Sequence, residues 1–177
     1  MAWGLYPFAI VRDRSVAPEI VPFEVKHQDG VLALIGGIFR EYGLTFDPSG
    51  FDVDLTRISG AYANGAFWVM CDGGRVVGTV AVMPRSPDAV EIKRVYLDSS
   101  LRGRGLGQAL VEHAIAWAVA RGRTKITLWS DVKFTRSHRM YERLGFVRTG
   151  IRECDDIDRS CEYGFEKVVS SLAPCGR

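Results

Sequence analysis

The chain has 177 residues, 47% of them hydrophobic, with 23 Lys and Arg against 21 Asp and Glu for a net charge of +2. That length and apolar content predict one globular domain over 1–177, while the near-balanced charge excludes a general attraction to nucleic acid or a membrane surface. The longest apolar run, 31–39, is too short to span a bilayer, and the first ten residues lack a basic stretch before their apolar ones, so a cytoplasmic protein is expected. Cys71, Cys154, Cys161 and Cys175 form no CxxC and no zinc spacing. They read as reduced thiols, and no metal site is expected.

Residues 1–18 hold Trp3, Tyr6, Phe8 and Ile10 ahead of a polar break and are taken as an N-terminal extension. A strand at 19–25 leads to a helix from Asp29, whose apolar stripe of Val31, Leu32, Leu34, Ile35, Ile38 and Phe39 runs across Gly36-Gly37 to a stop at Gly43. The turn-rich segment 44–50 precedes a short helix over 52–62. Strands at 66–71 and 75–83 flank Asp72-Gly73-Gly74, the strongest hairpin signal in the chain. A strand at 91–97, a turn at Asp98-Ser99-Ser100 and a glycine loop at 103–107 open onto an almost continuously apolar helix over 106–120, ended by Gly122. A strand at 125–129, a helix at 137–144, strands at 146–149 and 162–169 and a loose tail at 170–177 complete the chain. His27, His113 and His138 have no metal spacing and read as surface or helix-packing residues.

The segment 90–107, VEIKRVYLDSSLRGRGLG, carries the functional reading. A strand that turns through glycines into a helix makes an anion site, because the first backbone N–H groups of a helix lack partners and glycines let a phosphate approach them. Arg102 and Arg104 add positive charge. The dinucleotide fingerprint fails because Gln108 stands where its last glycine belongs, and the phosphate loop fails for want of a Lys-Ser/Thr pair. What remains, Arg102-Gly103-Arg104-Gly105-Leu106-Gly107, resembles the pyrophosphate-binding motif of the GCN5-related N-acetyltransferases. A second block, Tyr141-Glu142-Arg143-Leu144-Gly145-Phe146, resembles the Y-x-x-x-G-F signature of the same family, in the family's order.

The resemblance implies a GNAT-like α/β fold: a mixed, mostly antiparallel sheet of six to seven strands with helices on both faces, splayed at the central strand. It implies acetyl-CoA as co-substrate, held by Arg102, Gly103, Arg104, Gly105, Leu106 and Gly107 and by the backbone of Val95, Tyr96 and Leu97, where a bulge would free ladder groups. Tyr141 falls where the family places the phenol that protonates the departing thiolate; otherwise it is a packing tyrosine. Glu91 aligns with the strand glutamate that some members use as general base; otherwise it is a sheet carboxylate paired with Lys93 or Arg75. Phe134 stands where many members carry an asparagine that holds the pantetheine arm, which puts that contact in question.

The activity so implied is transfer of acetyl from acetyl-CoA to a primary amine, by direct attack in a ternary complex, with a small-molecule acceptor preferred and neither nucleic acid nor membrane as partner. The resemblance also admits a homodimer. The alternatives are acetylation of a protein lysine or N-terminus, and a non-catalytic acyl-CoA-binding module that would need no Tyr141.

Overall fold

The computed structural model describes residues 17–170. The expected extension and tail lie outside them, apart from Ala17, Pro18 and Ser170. Strands β1 (Glu19–Pro22), β2 (Ala66–Asp72), β3 (Arg75–Pro84), β4 (Ala89–Leu97), β5 (Lys125–Asp131), β6 (Val147–Glu153) and β7 (Cys161–Val168) form one sheet in the order β1-β2-β3-β4-β5-β7-β6. Only β4 and β5 pair in parallel, their connection being the helix α3 (Leu106–Ala120). The mixed, mostly antiparallel sheet expected from the sequence is present with seven strands.

Apolar side chains alternate along the strands, so each face of the sheet builds its own core. On one face α3 and α4 (Thr135–Arg143) cover Val80, Val82, Val90, Ile92, Ile126, Leu128 and Phe165. On the other, α1 (Gln28–Glu41) and the short α2 (Ile58–Ala61) pack over Phe67, Val69, Val76 and Ala81. The hairpin between β2 and β3 turns at Gly73 and Gly74, both at positive φ (56° and 80°), which suits two glycines and few other residues. None of the helices among the described residues is long and apolar enough to cross a membrane.

Two expectations need correction. The first strand stops at Pro22, because Glu24 and His27 close a capping box around a 3-10 turn, with the Glu24 N–H donating to His27 Nδ1 at 3.0 Å. The helix expected over 52–62 is two pieces, a 3-10 turn at Val53–Thr56 and α2, broken where Arg57 leaves helical geometry (φ −140°, ψ 53°). Of the two roles expected for the histidines, His27 and His138 take the packing one: both are buried, and His138 packs beside Tyr163 and Phe165.

Candidate active site

Pairing between β4 and β5 stops at Ile92 opposite Leu128. On the other side of β4, Lys93 faces Ala81 and Tyr96 faces Thr79, so Arg94 and Val95 together oppose the single residue Val80. This is a bulge, and it leaves the end of the strand without a partner on the β5 side. Arg94 takes φ 55°, a left-handed backbone that costs a side-chain-bearing residue about 1–3 kcal/mol. Its surroundings hold it there. Thr79 Oγ1 donates to the Arg94 carbonyl at 2.7 Å. The buried guanidinium grips Asp52 at 2.6 Å and Asp54 through two nitrogens, while Tyr62 donates to Asp54 at 2.6 Å. Burial alone would raise the Asp54 pKa, but the charge and hydrogen bonds of Arg94 hold it below the ordinary carboxylate value.

A cavity of about 460 Å³ opens from this splay toward the start of α3. Val95, Tyr96, Leu97, Arg102, Gly103, Gly105, Gly107 and Phe134 line it, as do Tyr42, Gln108 and the α4 side chains Ser137 and Met140. Arg104 and Leu106 do not; Leu106 packs on the main core and Arg104 is exposed. Gly103 and Gly105 sit at φ 79° and 80°, and a Cβ built on either would meet nothing within 4 Å, so the loop surface is open to a ligand. The first helical bond of α3 comes from Ala109 N to Gly105 O at 3.0 Å, leaving the earlier N–H groups without helical partners. Arg102 lies over Tyr42, donates to the Leu97 carbonyl at 3.2 Å, and pairs with Glu41 at the end of α1. Arg136, Arg139 and Arg143 line the same cavity from α4 and, like Arg104, make no ion pair among the described residues. Loop amides, an open glycine surface and uncompensated arginines fit a pyrophosphate and a further phosphate. In place of the family's asparagine, the Phe134 ring meets the edges of Tyr42 and Tyr96, at centroid distances of 4.8 and 6.4 Å, and forms an apolar wall.

A smaller cavity of about 60 Å³ passes through the gap between β4 and β5, sharing Val95, Tyr96, Phe134 and Ser137 with the larger one. Tyr141 lines it and is 4% exposed, its ring against Phe146 and Phe165. Its hydroxyl has no hydrogen-bond partner among the described residues, and burial together with the neighbouring Tyr96 raises its pKa, so the phenol keeps its proton at neutral pH. The Tyr96 phenol is pushed up to about 12, chiefly by burial.

Glu91 lines neither cavity. It is buried beside Thr127, and its carboxylate is engaged by Arg85 (Nε to Oε2 2.7 Å) rather than by Lys93 or Arg75. Arg75 instead pairs with Asp98. The far side of the small cavity carries residues that the sequence reading passed over: Lys93, Trp129, Asp131 and Glu162. The signal for Asp131 lay in the strand itself, which continues two residues beyond the predicted end at Trp129. Nearby, Thr45 donates to Asp158 from its N–H at 2.6 Å and its hydroxyl at 2.9 Å, joining the loop after α1 to the loop between β6 and β7.

A family model described as the Acetyltransferase (GNAT) family matches residues 37–146. N-acetylaspartate synthetase of Danio rerio is 32% identical over 118 residues, covering 64% of this chain and 42% of that protein. N-acetyltransferase family 8 member 2 of Rattus norvegicus is 34% identical over 104 residues, covering 55% and 46%. The chain therefore spans less than half the length of these two relatives. Among solved structures, an acetyltransferase from Streptococcus agalactiae superimposes with a TM-score of 0.76 at 26% identity, covering 86% of this chain and 98% of that one.

Proposed function

The chain belongs to the GNAT acetyltransferase family and is an acyltransferase, and from that premise we propose that it transfers acetyl from acetyl-CoA directly to the primary amine of a small molecule. The observation that carries this reading is the pair of adjoining cavities, which share Val95, Tyr96, Phe134 and Ser137. The larger ends on open glycines, helix N–H groups and unpaired arginines suited to phosphates; the smaller crosses the sheet beside an unpartnered phenol. Acetyl-CoA would bring an activated thioester. Residues Gly103 to Gly107 and the arginines would hold its phosphates, Phe134, Tyr96 and Met140 would flank its arm, and the free ladder groups of Val95 to Leu97 would orient it. Tyr141 would supply the proton that the sulfur gains as the C–S bond breaks and a C–N bond forms.

Direct attack is favoured because no cysteine lines either cavity to accept the acetyl group first. A small-molecule acceptor is favoured over a protein lysine or N-terminus by relatives named for making N-acetylaspartate and by the modest size of the smaller cavity. The unpartnered Tyr141 hydroxyl favours a catalyst over a binding module.

Two outcomes follow for acetyl-CoA. A ligand at 100 times its Kd should add about 2.7 kcal/mol to stability, seen as a rise in Tm; no rise with acetyl-CoA, beside a clear one with NAD or ATP, would argue for another cofactor. The double variant Arg102→Ala/Gly105→Val, which removes a charge and puts a side chain on the open loop, should bind acetyl-CoA about 10- to 100-fold more weakly, as loss of a charged hydrogen bond implies. Unchanged affinity by calorimetry in the folded variant would take the loop out of the binding site.

A further inference from the structure

We propose that Asp131, on the face of the sheet opposite α4, receives the proton released by the acceptor ammonium. The inference rests on the acyltransferase reading of that site. Residues on β5 and β7 alternate between faces, and Leu128 and Phe165 point to the α3 and α4 side. Trp129, Asp131 and its register partner Glu162 therefore point to the other. All three line the same cavity as Tyr141, so the gap between β4 and β5 joins the phenol on one face to carboxylates on the other.

The other acids around this gap are already committed. Asp52 and Asp54 belong to Arg94, Glu91 to Arg85, and Glu162 to Arg152, which also stacks 4.2 Å from the Trp129 ring centroid. Asp131 has no cationic partner within ion-pair distance among the described residues, although it is 6% exposed. One of its oxygens accepts from Lys133 N at 2.7 Å, and His138 Nε2 donates to its carbonyl at 3.0 Å, so the carboxylate is held in place with its second oxygen uncommitted. On the other face Tyr141 lines the same cavity, and its hydroxyl makes no hydrogen bond among the described residues.

The protons balance. The ammonium gives one proton to Asp131, which releases it to water before the next turnover, and becomes the neutral nucleophile; attack forms the C–N bond and breaks the C–S bond; the nitrogen loses a second proton while the sulfur gains one from Tyr141, and that second proton restores the phenol. The charged and titratable groups around Asp131 are Lys133 in its own loop, Glu162 on β7, Asp156 before β7, Lys93, Arg94 and Tyr96 on β4, and His138 and Tyr141 on α4. Burial comes first among these influences and raises the Asp131 pKa, toward what a base needs. The sign for stability follows. A raised carboxyl pKa stabilises the fold most below the unfolded value and loses that contribution as pH rises through the folded value. At neutral pH the ionised side chain is thus a cost, and Asp131→Asn, which keeps an oxygen for Lys133 N, should melt no lower than the wild type.

The test uses the full chain with acetyl-CoA and two primary amines, propylamine and glycinamide, whose ammonium is much the more acidic. In the wild type the acidic limb of kcat/KM should fall at the same pH for both amines; a limb that follows each amine's own acidity overturns the proposal. Asp131→Asn should lose about 100-fold in kcat/KM at neutral pH and recover at high pH, and Asp131→Ala should be partly rescued by added formate. A pH-independent loss, full activity, or a low-pH loss carried by Glu91→Gln instead overturns it, as does an Asp131→Ala variant that formate leaves unchanged. If neither amine is acetylated and acetyl-CoA raises no Tm, the acyl-transfer reading itself fails; if acetylation proceeds but the limb follows the amine, only the role of Asp131 fails.

Discussion

Tyr141→Phe should lower turnover about 100-fold while leaving acetyl-CoA affinity and Tm close to those of the parent. The ring stays against Phe146 and Phe165, and the hydroxyl that is lost has no hydrogen-bond partner, so its removal leaves nothing else unsatisfied. Only proton delivery to the departing sulfur disappears. General acid catalysis contributes roughly 100- to 10,000-fold, and a thiolate is a good enough leaving group to place the effect at the low end. The measurement is single-turnover chemistry with a proven acceptor, so that product release does not hide the step. A variant with parental chemistry would remove the phenol from the mechanism; one that also melts far lower would mean that Tyr141 is a core residue and no more.

Arg94→Ala should cost about 3–5 kcal/mol, because it abandons Asp52, which is 1% exposed, and strips Asp54 of its cation. For a chain of this size that is a fall in Tm of roughly 10 °C. The loss should exceed that of Arg94→Met combined with Asp52→Asn and Asp54→Asn, which removes the charges together. Acetyl-CoA affinity should fall as well, since the bulge that frees Val95 to Leu97 depends on this anchor. The linkage has a definite sign: the Asp54 pKa is depressed, so its contribution is present above the unfolded carboxyl's ordinary 3.8 and is lost as pH falls through the folded value. Asp54→Asn should flatten that acid limb. A loss in Arg94→Ala of less than about 1 kcal/mol, read from chemical denaturation, would show that the network does not carry the bulge.

The features legible in the sequence were those set by local chemistry. Paired glycines at 73 and 74 specify their own turn, and the strand, glycine loop and apolar helix from Glu91 to Ala120 follow from β-branched residues, positive-φ glycines and periodicity. Val95 to Leu97 and the glycines at 103, 105 and 107 were legible as cavity lining for the same reason, because backbone amides and glycines do not depend on distant side chains, whereas Arg104 and Leu106 lie outside it and the α4 side chains were not foreseen. The rest is tertiary. An arginine at φ 55° has no local signature; it is held by Asp52 and Asp54 some forty residues earlier, in the 52–62 segment that breaks at Arg57. The partner of Glu91 was equally hidden: Arg85 engages it, where Lys93 or Arg75 was expected. Asp131 was missed because the strand was expected to end at Trp129, whereas pairing with β7 carries it through Ser130 and Asp131.

The most direct test of the account is thiol release from acetyl-CoA by the purified full chain, followed against a panel of L-aspartate, other amino acids, spermidine, an aminoglycoside and a lysine peptide, with the acetylated product identified by mass. Amine-dependent release of one thiol per N-acetylated small molecule is expected, abolished when the amine is omitted. Acetyl-CoA that binds tightly and raises Tm, yet gives no thiol with any amine, would contradict it and leave a binding module in its place.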